Sequence, residues 1–157
     1  MIYRSTKTYG HEVGLSCAFR QWKAASHCRM LHGYALGIRL EFEANELDEN
    51  GWVIDFGSLA AVKAELVSSF DHRTLVAADD PSLPWFREAH AKQIIDMLLV
   101  QRTGCEAFAG MVFAKTDQWL GAAGHHPRVR LVSAEVREHG ANSAIAFGQP
   151  PQSPVSP

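Results

Sequence analysis

The stretch SHCRMLHGYALGIRLEFE, residues 26–43, contains the clearest structural signal in the sequence. From residue 36 onwards, apolar and charged side chains take alternate positions, which is the two-residue period of a half-buried β-strand. The apolar face consists of Leu36, Ile38, Leu40 and Phe42, and the charged face of Arg39, Glu41 and Glu43. Continued backwards, the same alternation places Tyr34 and His32 on the apolar, inward face of this strand.

The residues at the start of this stretch are candidate metal ligands. His27, Cys28 and His32 lie within six residues, and neutral imidazole and thiolate are side chains that zinc prefers. A hydrogen-bonded core histidine is the alternative interpretation. His11 ends a predicted first strand and faces inward, so two neighbouring strands would bring His11 and His32 to one ion. A catalytic zinc site needs a third protein ligand, which must come from elsewhere.

The remaining elements follow from periodicity and turn signals. Residues 12–26 are predicted as a loop, and the tail, residues 149–157, as a disordered Pro-rich segment. A capping box at Thr103–Glu106 predicts a helix start. The other predicted elements are strands over 2–11, 52–56, 94–100, 128–138 and 142–148 and helices over 58–69 and 103–120. This order indicates an α+β domain over residues 1–148, in which antiparallel strands cover two helices.

Composition narrows the classes of function. The chain has 157 residues, 46% of them hydrophobic, and a net charge of −2, which fits one compact domain. Without a Lys/Arg block, nucleic acid is not an expected partner. No basic-then-apolar leader and no run of 18 apolar residues is found, so we expect a cytoplasmic protein without a membrane partner. Three cysteines without paired spacing indicate reduced thiols.

Three further side chains are candidates for chemistry. Asp71 and His72 could form an acid/base pair, in which the carboxylate orients the imidazole. The alternative is that His72 only interacts with the negative end of the helix dipole and has no catalytic role. Glu138 alternates in phase with Val136 and so points to the buried side of its strand. A carboxylate there needs a partner, which is either a ligand or a structural ion pair.

A set of motifs in fixed order resembles the 6-pyruvoyltetrahydropterin synthase / 6-carboxytetrahydropterin synthase family over roughly residues 2–148. The motifs are Cys28-Arg-Met-Leu-His32-Gly-Tyr34, Val53-Ile-Asp55-Phe56-Gly57-Ser-Leu59, Phe70-Asp71-His72-Arg73, Gly104-Cys-Glu106 and Glu138. The resemblance implies the tunnelling fold, a four-stranded antiparallel sheet with two helices on one face. It also implies a homo-oligomer, a trimer or a hexamer, with active sites between subunits.

The resemblance further implies a 6-carboxy-5,6,7,8-tetrahydropterin synthase-like lyase that converts 7,8-dihydroneopterin triphosphate on the path to queuosine-type 7-deazaguanines. Zinc would act as a Lewis acid, and Cys28 would be the base. Asp71 and His72 would relay a second proton, and Glu138 would hold the pterin ring through two hydrogen bonds. The alternatives are 6-pyruvoyltetrahydropterin synthase, another tunnelling-fold activity such as an aldolase, and a non-catalytic pterin-binding relative that has lost full zinc coordination.

The sequence departs from the family pattern at the predicted metal site. The family has H-G-H where this chain has His32-Gly-Tyr34, so one imidazole is missing. The family's first histidine, in an A-A-H-like element, is assigned to His11; the alternative alignment over residues 16–19, Ser-Cys-Ala-Phe, would lose it. His27, Cys17 and Tyr34 compete for the third position. The predicted zinc ligands are His11, His32 and His27.

Overall fold

The structure, a computed structural model, describes residues 1–149, and its central feature is a mixed sheet of seven strands. The strands are β1 (Tyr3–Tyr9), β2 (Leu15–Phe19), β3 (His32–Ala44), β4 (Arg73–Ala77), β5 (Asp96–Val100), β6 (Val129–His139) and β7 (Asn142–Phe147). The helices are α1 (Ala60–Phe70), α2 (Leu83–Ala91) and α3 (Cys105–Ala122). The strand order is β5-β4-β2-β3-β6-β7, with β1 also paired to β3.

The long strand β3 organises the sheet, as its sequence pattern predicts. One edge of β3 pairs with β1 over residues 38–44 and with β2 over residues 32–36. Between β1 and β2 the chain turns through a short 3₁₀ helix, His11–Val13, and Gly14 in the left-handed conformation (φ 77°). The other edge of β3 pairs with β6. The predicted apolar face is confirmed, since Leu36, Ile38, Leu40 and Phe42 are all at most 1% exposed.

Two helices cover the apolar face of the sheet. α3 packs on β6 and β7, and α1 packs on β2 and β4, while the third helix, α2, contacts β4 and β5. Phe70 of α1 and Phe108 of α3 meet edge to face in the core, with ring centroids 5.6 Å apart. The described part of the chain therefore has three helices, where two were predicted. The third, α2, lies in the run that ends at Gln93, for which the sequence left a helix and an irregular segment as alternatives.

The predicted four-stranded antiparallel sheet is correct for β1, β3, β6 and β7 but incomplete. The additional strands are β2, which was predicted as loop, and β4, which was not predicted, together with β5 in a parallel pairing with β4. The predicted strand over 52–56 does not form, although Val53 and Ile54 are buried. The predicted capping box is also wrong. Gly104 is the N-cap of α3, and the Thr103 hydroxyl donates instead to the carbonyl of Arg20, at 2.6 Å.

The opposite face of the sheet is lined by paired charges. Glu43, 6% exposed, accepts hydrogen bonds from Arg4 and Arg130, at 2.8 and 2.9 Å. A buried carboxylate is costly unless it is paired, so the two arginine contacts explain why Glu43 can be buried. Within residues 1–149 there is no helix that is both long enough and apolar enough to cross a membrane. The predicted tail lies outside the described residues from Pro150 onwards.

Candidate functional site

An aromatic cluster lies where β2 and β3 meet on the apolar face. Phe19 and His32 are directly paired across the two strands, and Tyr34 follows on the same face of β3. The ring centroids are 4.9 Å apart for Phe19 and His32, 6.1 Å for Phe19 and Tyr34, and 5.6 Å for His32 and Tyr34. Phe19 is completely buried and also packs edge to face on Phe108, so the cluster continues into the hydrophobic core.

His32 has one ring nitrogen left for a ligand. Its Nδ1 donates a hydrogen bond to the carbonyl oxygen of Met30, at 2.7 Å. A carbonyl can only accept, so this contact places the proton on Nδ1 and leaves Nε2 with a lone pair. The predicted inward direction of His32 is thus consistent with the structure.

Glu138 is a half-buried carboxylate next to this cluster. It follows Arg137, the last residue of β6 that pairs with β3, at the position where the pairing between β6 and β7 shifts. Among residues 1–149, no Lys, Arg or His side chain forms an ion pair with Glu138, whereas the buried carboxylates Glu43 and Glu135 are paired with arginines. Glu138 is therefore a carboxylate available to a ligand.

Two buried thiols accompany Glu138. Burial raises the pKa of Cys105, the first residue of α3, to about 12, and the charge of the Glu138 carboxylate adds to this, as does its role as hydrogen-bond acceptor. Burial likewise raises the pKa of Cys17 to about 12, with smaller contributions from Cys105 and Glu138. Both thiols are thus neutral at physiological pH.

The Tyr34 phenol is the member of the aromatic cluster that is influenced by Glu138. Burial raises its pKa, and the nearby Glu138, Cys28 and Cys105 add to the increase. Tyr34 also approaches His139, with ring centroids 6.0 Å apart. The Tyr34 hydroxyl makes no hydrogen bond to any group of the described chain, so it is a further polar atom that a ligand could use.

Cys28 and His27 belong to a short 3₁₀ helix, His27–Arg29, just before β3. The backbone N–H of Cys28 donates to the Ser26 hydroxyl, at 3.4 Å. Cys28 is half-buried and close enough to Tyr34 to affect its pKa, whereas His27 is exposed. The structure therefore brings Cys28, Tyr34 and Glu138 to one region of the apolar face.

His11 lies on the opposite face of the sheet. It belongs to the 3₁₀ helix after β1, not to the strand, and its Nδ1 donates to the carbonyl of Ala35, at 2.5 Å. A Cβ atom built on Gly37 would come within 3.3 Å of the His11 ring, and the side-chain direction at Gly37 is that of Arg39, away from His32. The structure does not bring His11 and His32 together within one chain.

Asp71 and His72 form a hydrogen-bonded pair at the exit of α1. His72 Nδ1 donates to Asp71 Oδ1, at 2.7 Å, and the His72 side chain is 88% exposed. His72 has the left-handed backbone conformation (φ 58°), and its N–H donates to Ser16 O, at 2.7 Å. The imidazole lies beside Ser16, Gly33 and Ala35, whose side-chain directions alternate with those of the aromatic cluster. Cys28 and His72 thus belong to different elements, the 3₁₀ helix before β3 and the exit of α1.

The residues present do not fit a zinc ion. No group of three or more His, Cys, Asp or Glu side chains arranged to hold a metal occurs within residues 1–149. At the aromatic cluster, His32 is the sole nitrogen donor, Phe19 has no donor atom, and Tyr34 is a neutral phenol. Catalytic zinc takes three protein ligands, and this cluster supplies one nitrogen donor.

Two residues of the site were missed or given other roles from the sequence. Phe19 appeared in the alternative alignment over residues 16–19, and its register opposite His32 supports that alignment over His11. The apolar alternation of Leu15, Cys17 and Phe19 was the available signal for β2. Cys105 was assigned to a capping box; no local pattern indicates that it meets Glu138, 33 positions later in the sequence.

The chain belongs to the 6-pyruvoyl tetrahydropterin synthase family, whose sequence model matches residues 10–149. One relative, a probable 6-carboxy-5,6,7,8-tetrahydropterin synthase of Halobacterium salinarum, is 35% identical over 77 residues, which are 49% of this chain and 48% of that protein. A second, a putative enzyme of the same name from Pyrococcus horikoshii, is 31% identical over 81 residues, 52% of this chain and 45% of the relative. The chain spans about half the length of the curated relatives it matches.

Solved structures agree on the fold. An uncharacterised protein of Wolinella succinogenes has a TM-score of 0.76 and 19% identity, covering 95% of this chain and 99% of its own. The 6-pyruvoyl tetrahydropterin synthase of Plasmodium falciparum has a TM-score of 0.69 and 14% identity, covering 94% and 98%. At these identities the likeness is one of fold. The predicted family is therefore confirmed, and so is the predicted fold type apart from the number of strands and helices.

Proposed function

We propose that this chain binds a reduced pterin and that Glu138 anchors the ring. The single observation that carries this proposal is the half-buried Glu138 carboxylate, which has no cationic partner among the described residues while the buried Glu43 and Glu135 have arginines. A carboxylate can accept two parallel hydrogen bonds from the amino group and ring N–H of a pterin. The Cys105 thiol beside it is neutral, because its pKa is raised to about 12.

Equilibrium binding of 7,8-dihydroneopterin to Glu138→Gln tests the anchor. Loss of the charge removes about 2 kcal/mol of charge-assisted hydrogen bonding, so we expect roughly 30-fold weaker binding. Titration followed by pterin fluorescence measures the affinity. Glu135→Gln is the matched control, because Glu135 lies on the same strand but pairs with Arg137, and it should bind normally. Equal affinity of Glu138→Gln and the unaltered protein would rule out the anchor.

Lyase chemistry on 7,8-dihydroneopterin triphosphate, as the names of the relatives suggest, is the second candidate. It is favoured by the hydrogen-bonded Asp71 and His72 pair and by the position of Cys28 near Tyr34. In this proposal Cys28 takes a proton from the pterin side chain, and His72, oriented by Asp71, relays another. Release of acetaldehyde from this triphosphate identifies a 6-carboxytetrahydropterin synthase activity on the 7-deazaguanine path. Pterin binding without acetaldehyde identifies a binding protein without that activity.

We further propose that the protein is cytoplasmic and assembles as a trimer or a hexamer. The exposure of His72 supports assembly, because its side chain is 88% exposed at the exit of α1 and a second copy would cover this imidazole and complete a site around it. Light scattering during gel filtration measures the number of subunits; a monomer would contradict a shared site.

A further inference from the structure

The aromatic cluster of Phe19, His32 and Tyr34 has the spacing of a metal site without its donors. Three imidazoles bound to one tetrahedral zinc, with Zn–N distances near 2.1 Å, have ring centroids about 5 Å apart. The three rings here are 4.9, 5.6 and 6.1 Å apart. The backbone therefore presents three side chains at positions suitable for a metal site. Two of them, Phe19 and Tyr34, do not supply the nitrogen donors that zinc needs.

Phe19 and Tyr34 place aromatic rings where a zinc site would have imidazoles. Phe19 is fully buried, and it contacts both His32 and Phe108. An aromatic ring at this position contributes packing in place of coordination. Tyr34, in contrast, has a polar atom, its hydroxyl, at the edge of the cluster. This hydroxyl has no hydrogen-bond partner within residues 1–149.

We propose that the pterin site of this chain works without a metal ion, and that the Tyr34 hydroxyl and His32 Nε2 make the polar contacts to the ligand where an ion would otherwise bind it. This inference rests on the proposed function, because pterin is taken as the ligand. The absence of a bound metal ion can be tested without any pterin. The phenol is a donor and the free Nε2 of His32 is an acceptor, so the pair suits a ligand hydroxyl group.

Metal analysis of the full chain, purified without chelator from cells supplied with zinc, is the first test. We expect zinc at the background level in the unaltered protein. We expect about one zinc per chain in the double variant F19H/Y34H, because it supplies three imidazoles on the existing backbone. Cobalt(II) added to that variant should give the visible absorption of a tetrahedral site. Stoichiometric zinc in the unaltered protein that is lost in H32A would overturn the proposal, and no folded double variant is needed for that result.

His11→Ala is the control, because His11 lies on the opposite face of the sheet. We expect its metal content to equal that of the unaltered protein, and loss of bound zinc in this variant would also overturn the proposal.

Pterin binding in the presence of EDTA is the second test. We expect unchanged affinity with chelator and about 5-fold weaker binding in Y34F, the loss of one neutral hydrogen bond. Pterin binding that is abolished by EDTA and restored by zinc would overturn the proposal. Unaltered pterin binding in Y34F would overturn the proposed role of the Tyr34 hydroxyl. If the unaltered protein binds no pterin at all, the proposed function fails, while the metal analysis still decides whether the cluster holds an ion.

Discussion

At the scale of single residues, the three cysteines differ in burial. Cys28 is half-buried, whereas Cys17 and Cys105 are 7% and 8% exposed and have pKa values raised to about 12. The thiolate is the reactive form. The neighbours of Cys17 and Cys105 therefore keep these thiols unreactive at neutral pH.

Alkylation of the folded protein with iodoacetamide at pH 8 should consequently modify Cys28 well before the other two. Peptide mapping by mass spectrometry measures the labelled fraction of each thiol. Cys28→Ser should leave the native protein almost unlabelled, and all three thiols should react after unfolding in urea. Labelling of Cys105 at the rate of Cys28 would contradict the burial described for the site.

The direction of single side chains could be read from the sequence where a strand was recognised. Alternation placed His32, Tyr34 and Glu138 on the inward face, consistent with the structure. His11 was placed inward by the same rule, but the strand ends at Tyr9, and the following 3₁₀ helix sends the imidazole to the other face. A two-residue period cannot describe a side chain beyond the end of its strand.

At the scale of elements, one buried ion pair connects two segments. Arg20, just after β2, donates two hydrogen bonds to Asp80, between β4 and α2, at 2.8 and 2.5 Å. The Asp80 side chain is 1% exposed. Arg20 lowers the pKa of this carboxyl, mainly through its hydrogen bonds. This contact holds the segment before the 3₁₀ helix of Cys28 against the parallel part of the sheet.

Asp80→Ala should destabilise the fold by about 3 kcal/mol, since it leaves a half-buried guanidinium without its partner. Urea unfolding measures the change, and Asp79→Ala, which removes an exposed pair with Lys23, is the matched control with little expected effect. Because the folded-state pKa of Asp80 is lowered, its contribution is present above the ordinary carboxyl pKa and is lost as the pH falls through the lowered value. A pH profile as acid-sensitive in Asp80→Ala as in the unaltered protein would contradict this role.

Long periodic elements were predictable, and short ones were not. β3, α1 and α3 were predicted close to their observed bounds because many residues repeat the same period. β4 is buried from Thr74 to Ala77 on both faces, so it has no alternation to detect. The strand over 52–56 was predicted from the turn signal at Asn50-Gly51 and is wrong, since Val53 and Ile54 are buried without a strand partner.

At the scale of the whole molecule, the topology depends on pairings distant in sequence. β2 pairs antiparallel with β3 but parallel with β4, and no local pattern distinguishes these two arrangements. The four antiparallel strands could be predicted from their order, but the parallel extension by β4 and β5 could not. Local patterns could not predict the site either. Phe19 lies opposite His32, and Cys105 lies beside Glu138, only once the sheet has formed.

One exposed surface of the sheet is a candidate interface for the proposed assembly. Ile145 and Phe147 of β7 are 49% and 69% exposed, and large exposed apolar side chains on a terminal strand are typical of association surfaces. Phe147→Asp should therefore reduce the number of subunits measured by light scattering. Trp85→Asp, at an exposed position of α2, is the control and should keep the native assembly. An unchanged mass for Phe147→Asp would exclude this surface from the interface.

The exposed position of His72 at the exit of α1 has a genetic consequence. If the proposed lyase site takes Cys28 from one chain and His72 from its neighbour, Cys28→Ala and His72→Ala damage different halves of the same site. Co-expression of the two inactive variants would then restore part of the activity, because some mixed assemblies bring together two intact halves. Such intragenic complementation cannot occur when both groups come from one chain.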